Sequence, residues 1–174
     1  MTKHCINKIV ASFVVVFTVI LFSQIFLVSA TDVVEDSWVV KTSMPTGRVF
    51  CGSIAASNGL IYVIGGSTGG ASSSIKINEA YNPATDTWTT KEDMPTPRSA
   101  FGMVAYQNKI YCIGGVGDFG TTIEVTGVNE IYDIVTNTWE TKTSMPTARG
   151  YMCANIVNGK IHALFPLKPH LLMY

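Results

Sequence analysis

The sequence predicts an all-β fold: an array of four-stranded antiparallel blades of the β-propeller type, preceded by an N-terminal hydrophobic helix. Three observations predict it. The chain repeats itself, because Tyr81-Asn-Pro-Ala-Thr-Asp-Thr-Trp88 followed by Met94-Pro-Thr-Pro-Arg98 returns as Tyr132-Asp-Ile-Val-Thr-Asn-Thr-Trp139 followed by Met145-Pro-Thr-Ala-Arg149. Trp38, Trp88 and Trp139 fall 50 and 51 residues apart, a period in the range of repeat architectures. Each period holds four short aromatic or β-branched runs punctuated by glycine or proline, and no helical periodicity appears after residue 30.

The elements follow in order. Residues 1–30 begin with Lys3 and Lys8, continue as a long apolar run and close on Val28-Ser29-Ala30. A basic start, an apolar middle and a small-residue end read as a signal peptide cleaved after Ala30. The run is also long enough to span a bilayer as an uncleaved signal anchor with its lysines on the cytoplasmic side. Both readings place the rest of the chain outside the cytoplasm, secreted or anchored, and make this segment the sole membrane contact. Residues 31–37 are an acidic linker. Residues 38–45 form one strand, the fourth of a split blade, ended by Met44-Pro45, since proline cannot donate to a ladder.

The first full blade spans 48–95. Val49 to Ser57 gives an inner strand, Asn58-Gly59 a tight hairpin, and Leu60 to Ile64 a continuous apolar strand buried on both faces. Gly65-Gly66 stops that strand, Ser67 to Ser74 is a loop, Ile75 to Tyr81 a third strand, and Trp88 opens the fourth. The second blade, 98–146, repeats the plan. It has a hairpin at Asn108-Lys109, a buried strand Ile110 to Ile113, a stop at Gly114-Gly115, a loop Val116 to Thr122 and strands from Val125 and Trp139. A partial third blade covers 149–164 and holds Asn158-Gly159. Residues 165–174 match no part of the repeat, since Phe165-Pro166 stands where the paired glycines belong.

Composition excludes some functions. Twelve basic and twelve acidic residues cancel, and no basic block or stripe appears, so phosphate-backbone capture of nucleic acid is not expected. Beyond residue 30, Cys51, Cys112 and Cys153 are odd in number and widely spaced, which is neither a disulfide framework nor a zinc ligand set. His4, His162 and His170 cannot cluster by spacing, and no H-E-x-x-H or phosphate-binding loop occurs. No catalytic residue, cofactor site or metal site is expected.

The order Arg, then Ile-Tyr-x-Ile-Gly-Gly, then Glu-x-Tyr and Thr-x-Trp, then Met-Pro resembles the kelch repeat. It is carried by Gly65, Gly66, Glu79, Tyr81 and Trp88 in one unit and by Gly114, Gly115, Glu130, Tyr132 and Trp139 in the next. The resemblance covers 38–164. It implies one blade of four antiparallel strands per repeat and a protein-binding scaffold, although some relatives of the family act on sugars. Propellers typically close with about 4–8 blades, so the chain is expected to be an incomplete ring, a truncated or frameshifted product, open to self-association through its unpaired blade edges.

The alternating strand direction places the loops 67–74 and 116–122 on one face with the Met-Pro-Thr-x-Arg turns. Loops on a rigid scaffold are where binding concentrates. Arg48, Arg98 and Arg149 enter the inner strands there. They read either as a ring that attracts an anion or as locks that pair with Glu79, Glu130 or loop carbonyls. Asp118 and Phe119 are the one idiosyncratic pair in the loops and a candidate ligand contact. The tryptophans read as blade packing or as platforms for sugars. The expected function is an exported binding or scaffold module for protein or glycan. The alternatives are a fragment of a propeller enzyme acting on sugars, an epimerase or an oxidase, and a remnant without function.

Overall fold

The computed structural model describes residues 38–69, 73–118 and 123–164, and every regular strand-length element among them is a β-strand. The expected N-terminal helix, the linker, Phe119 and the non-repeat tail lie outside the described residues. Among the described residues no helix is long and apolar enough to cross a membrane. The chain divides into two units, Met1–Val40 and Lys41–Tyr174. Of the first, the described residues are 38–40, which carry no regular structure.

The second unit contains the blades. β1 (Gly52–Ala55), β2 (Ile61–Ile64), β3 (Asn78–Asn82) and β4 (Thr87–Lys91) form one four-stranded antiparallel sheet in chain order. β5 (Gly102–Tyr106), β6 (Lys109–Ile113), β9 (Asn129–Asp133) and β10 (Thr138–Lys142) form the second, with the same nearest-neighbour order. β11 (Cys153–Val157) and β12 (Lys160–Leu164) pair as a third, two-stranded sheet. Inner strand β5 lies beside both β1 and β11, so successive units stack through their inner strands.

The apolar runs are buried where the pattern requires. β2 and β6 carry Tyr62, Ile64, Ile110 and Cys112, all shielded from water. With Ala80, Met94, Phe101, Met103 and Tyr132 they make one core between the first two blades. Burial of each large side chain of this kind contributes roughly 1.5–3 kcal/mol. Tyr62 and Tyr132 meet across the blades with ring centroids 5.7 Å apart. Met94, from the turn after β4, is fully enclosed.

Three expectations are corrected. Residues 38–45 form no strand: a ladder needs a second backbone, and no described strand pairs with them. The segment is held from Thr42 onward by side chains of the first blade. The loop after Gly114-Gly115 contains a small hairpin, β7 (Val116–Asp118) with β8 (Ile123–Val125), as β-branched residues at both ends allow. The turn of the second blade is Gln107-Asn108, since Tyr106 pairs with Lys109 and Gln107 takes a φ of 51°. Asn158-Gly159 is the two-residue hairpin expected of it, with φ 51° and 71° between the paired Val157 and Lys160.

Candidate functional site

Arg48 and Arg98 are buried and paired. Arg48 Nη2 donates to Glu79 Oε2 at 2.8 Å and to the Val63 carbonyl at 3.1 Å. Thr46 Oγ1 donates to the other carboxylate oxygen at 3.0 Å. One repeat later, Arg98 Nη1 binds Glu130 Oε2, Arg98 Nη2 donates to the Cys112 carbonyl at 3.0 Å, and Thr96 Oγ1 donates to Glu130 Oε1 at 2.6 Å. Each arginine thus enters from a Met-Pro-Thr-x-Arg turn and closes on the third strand of the blade that follows. Neither is placed to face a ligand, because the glutamate neutralises it and its side chain is closed to solvent. The anion-ring reading is corrected for these two. Arg149 occupies the corresponding turn, and its carbonyl accepts from Gly115 at 2.7 Å.

The paired glycines carry the contact between units. Gly66 N–H donates to the Arg98 carbonyl at 3.0 Å, as Gly115 does to Arg149. A Cβ on Gly65 would stand 2.5 Å from the Arg98 oxygen, and Gly65 and Gly66 have φ of 59° and 100°. Positive φ and close backbone approach together require glycine.

At the outer strands a second contact repeats. Asp86 and Asn137 occupy one turn position, each at φ 56°. Asp86 Oδ1 accepts from the Tyr81 hydroxyl at 2.7 Å and from Thr42 N–H at 2.9 Å. Asn137 Oδ1 accepts from the Tyr132 hydroxyl at 2.6 Å and from Glu92 N–H at 3.0 Å. Trp88 and Trp139 complete the clamp by donating Nε1–H to the carbonyls of Thr42 and Glu92 at 3.0 and 2.8 Å. Each packs at a tilt against its tyrosine, with centroids 5.1 and 5.2 Å apart. The Tyr81 hydroxyl and Thr42 N–H hold the Asp86 carboxyl below the usual carboxylate range, and the same bond raises Tyr81. Asp133 is likewise lowered, by the N–H groups of Thr136 and Val135. Burial raises Tyr132, with Tyr62 adding to it.

An open groove of about 450 Å³ lies beside this clamp, lined among others by Lys76, Glu92, Asp93, Asn137 and Trp139. Several of its polar groups are engaged internally: Lys76 with Asp93, Asn137 with Tyr132 and Glu92, Trp139 with Glu92.

The loop face differs. Val49 and Ser67 exchange both backbone hydrogen bonds at 2.9 and 2.8 Å, and Ser99 and Val116 do so at 2.7 and 2.8 Å. Ser74 Oγ of the first loop reaches the Val116 carbonyl at 3.4 Å. The described ends of the two loops and the starts of the inner strands therefore share one face. Asp118 is there by its backbone, in β7. Gly65-Gly66-Ser67-Thr68-Gly69 spells G-x-S-x-G, a serine-hydrolase signature that needs a strand-to-helix turn and an exposed hydroxyl. Here Ser67 is buried and the next described strand is β3, so the match carries no exposed nucleophile.

Sequence reasoning missed the residues two places after each arginine. Phe50, Ala100 and Tyr151 have φ of 54°, 50° and 52°. Ala100 N–H donates to the Phe50 carbonyl at 2.9 Å and Tyr151 N–H to the Ala100 carbonyl at 2.7 Å, a short ladder across three units. Above the small Ala100 the rings of Phe50 and Tyr151 meet edge to face, with centroids 6.3 Å apart and planes at 83°. The only signal in the sequence is the offset from each arginine, which says nothing of φ.

Among the described residues no group of three or more His, Cys, Asp or Glu side chains is placed to hold a metal ion. Such a pattern of repeated blades, arginine–glutamate locks and glycine stitches defines a kelch-type repeat array. The family model "Kelch motif" matches residues 48–95 and 97–146, and the chain belongs to the kelch-repeat family. It is 33% identical over 117 residues to Kelch-like protein 40 of Xenopus laevis, over 67% of this chain and 18% of that protein. It is similar in fold to the solved structure of YjhT, with a TM-score of 0.61 at 21% identity, over 73% of this chain and 36% of that one. The chain thus spans less than two fifths of the length of either.

Proposed function

We propose that this chain is an exported binding module whose ligand is a protein, with no catalysis of its own. The observation that carries the reading is the loop face. Residues 67–69, 73–74, 116–118 and 123–125 of the two loops and the inner-strand starts at 49–50, 99–100 and 150–151 are brought side by side by backbone pairing, on a scaffold locked by buried ion pairs. Loops of different units held in fixed relation supply a composite surface of the kind that recognises partners. Family membership supports a scaffold role, and residues 1–30 supply the export signal.

Peptide and glycan arrays probed with the full chain test the binding reading. Retention on peptides, with cross-links confined to these segments, is the expected result. Binding at the outer groove, or turnover of a sugar, would overturn it. Export is tested by N-terminal sequencing of the protein recovered from a secretory host. A chain that starts at Thr31, or is held intact in the membrane, is expected; an intact chain soluble in the cytosol counts against export.

A further inference from the structure

We infer that Phe50 and Tyr151 form a docking point for one uncharged aromatic or aliphatic side chain of a partner peptide; this rests on the protein-binding reading above and gives it a chemistry. The two rings are 59% and 44% exposed, although both lie within the packed unit and touch each other. Their backbones are held at positive φ, where a bulky side chain is an outlier and glycine is the favourable residue. Strain of this kind persists only where the surroundings over-determine it, and it clusters at ligand-contacting sites. Here the ladder through Ala100 imposes the conformation and presents the rings outward. Ala100 between them has no bulk, so the pair forms a shelf rather than a continuous apolar wall.

Charge decides the occupant. Segments 49–51, 99–101 and 150–152 contain no charged residue. The arginines that precede the first two are neutralised by Glu79 and Glu130 and closed to solvent, and Arg149, which precedes the third, is half-buried and engaged with other groups. An acidic peptide would therefore find no free cation from Arg48 or Arg98. A sugar needs directional partners for its hydroxyls. The side-chain hydroxyls of these segments are Ser99, which is buried and donates to the Val116 carbonyl, and Tyr151. Two ring faces with few polar groups suit a flat apolar side chain, held by offset stacking or edge-to-face contact.

The test uses the full chain with its phenylalanine and tyrosine rings isotopically labelled for NMR. Three probes are titrated separately: N-acetyl-phenylalaninamide, N-acetyl-glutamic acid amide and a methyl galactoside. Ring signals assigned to Phe50 and Tyr151 should move with the phenylalanine probe and stay fixed with the other two. Phe50→Gly and Tyr151→Gly suit the backbone and remove the shelf, and should each weaken that probe's binding roughly tenfold. Tyr151→Phe should keep it. Unchanged amide spectra away from the shelf show that the variants fold. Movement with the glutamate or sugar probe alone would overturn the apolar occupant while leaving the loop face a binding surface. No movement of any loop-face signal with any probe would overturn both readings. Loss of concentration-dependent self-association in the glycine variants, without a probe effect, would assign the shelf to a second copy of the chain and overturn the inference.

Discussion

Arg98 and Glu130 neutralise each other out of reach of water, the guanidinium at 0% and the carboxylate at 1% exposure, and one repeat earlier Arg48 and Glu79 do the same. A buried pair of this kind fixes where the turn of one unit sits on the next blade. Its net stabilisation is limited by the desolvation of both charges. Removing one partner is a different matter. Arg98→Ala or Glu130→Ala leaves an unpaired charge inside and should cost about 3–5 kcal/mol in urea unfolding. Replacing both together with apolar residues of similar volume, Arg98→Met with Glu130→Leu, should cost less than either single change. A double variant as unstable as the sum of the singles would show that the pair contributes more than placement.

The clamp at Asp86 should be visible in the pH dependence of stability. Its folded-state carboxyl is held below the usual carboxylate range by the Tyr81 hydroxyl and Thr42 N–H. A lowered folded-state value stabilises above the unfolded value and loses that contribution as pH falls through the folded one. Asp86→Asn copies the chemistry that Asn137 already supplies in the next unit and has no charge to lose. The variant should therefore keep its neutral-pH stability and show a flatter decline as pH falls into and below the usual carboxylate range. Denaturation midpoints measured across that range decide it, and an unchanged acid limb would remove Asp86 from the account.

Glycines at two positions should respond differently to alanine. At Gly59, with φ 79° and nothing within 4 Å of an added Cβ, only backbone strain is incurred, about 1–2 kcal/mol. At Gly65 the same methyl meets the Arg98 carbonyl at 2.5 Å and the Phe101 ring at 2.9 Å. Overpacking adds roughly 1–3 kcal/mol to the strain. Equal losses on thermal unfolding would mean that the stitch between units yields easily.

The cysteines should divide by reactivity. Cys112 is enclosed in the core, and burial pushes its thiol up to about 12 against the pull of Arg98, so thiolate is absent at neutral pH. Cys153 is exposed, at the place where the two preceding units carry Gly52 and Gly102. A maleimide applied to the folded chain should modify Cys153 rapidly and Cys112 only after unfolding, as peptide mass mapping would show. Early modification of Cys112 would mean that the core between the blades opens.

Much of this was legible in the residues. The buried runs of β2 and β6, the Asn158-Gly159 hairpin and the glycine stops depend on local chemistry, which a sequence displays directly. The strand expected at 38–45 failed because its propensity was read without a partner; Thr42 is fastened by Asp86 and Trp88 instead of by a ladder. The choice between anion ring and lock for Arg48 and Arg98 stayed open because spacing along the chain does not say which carboxylate lies opposite. The hairpin of β7 and β8 hid in a segment whose glycines read as loop.

By itself the sequence determined the repeat, its period of 50 to 51 residues, the four strands of the two full blades and the family to which they belong. These follow from short-range patterning, in which alternation, apolar runs and turn residues act within a few positions. Only the tertiary structure decided that two arginines are closed to ligand and that Phe50 meets Tyr151 from units not adjacent in the chain. Those relations arise from stacking one unit on the next. Stacking sets φ at the inner-strand starts through hydrogen bonds between units, a constraint that no local run of residues encodes.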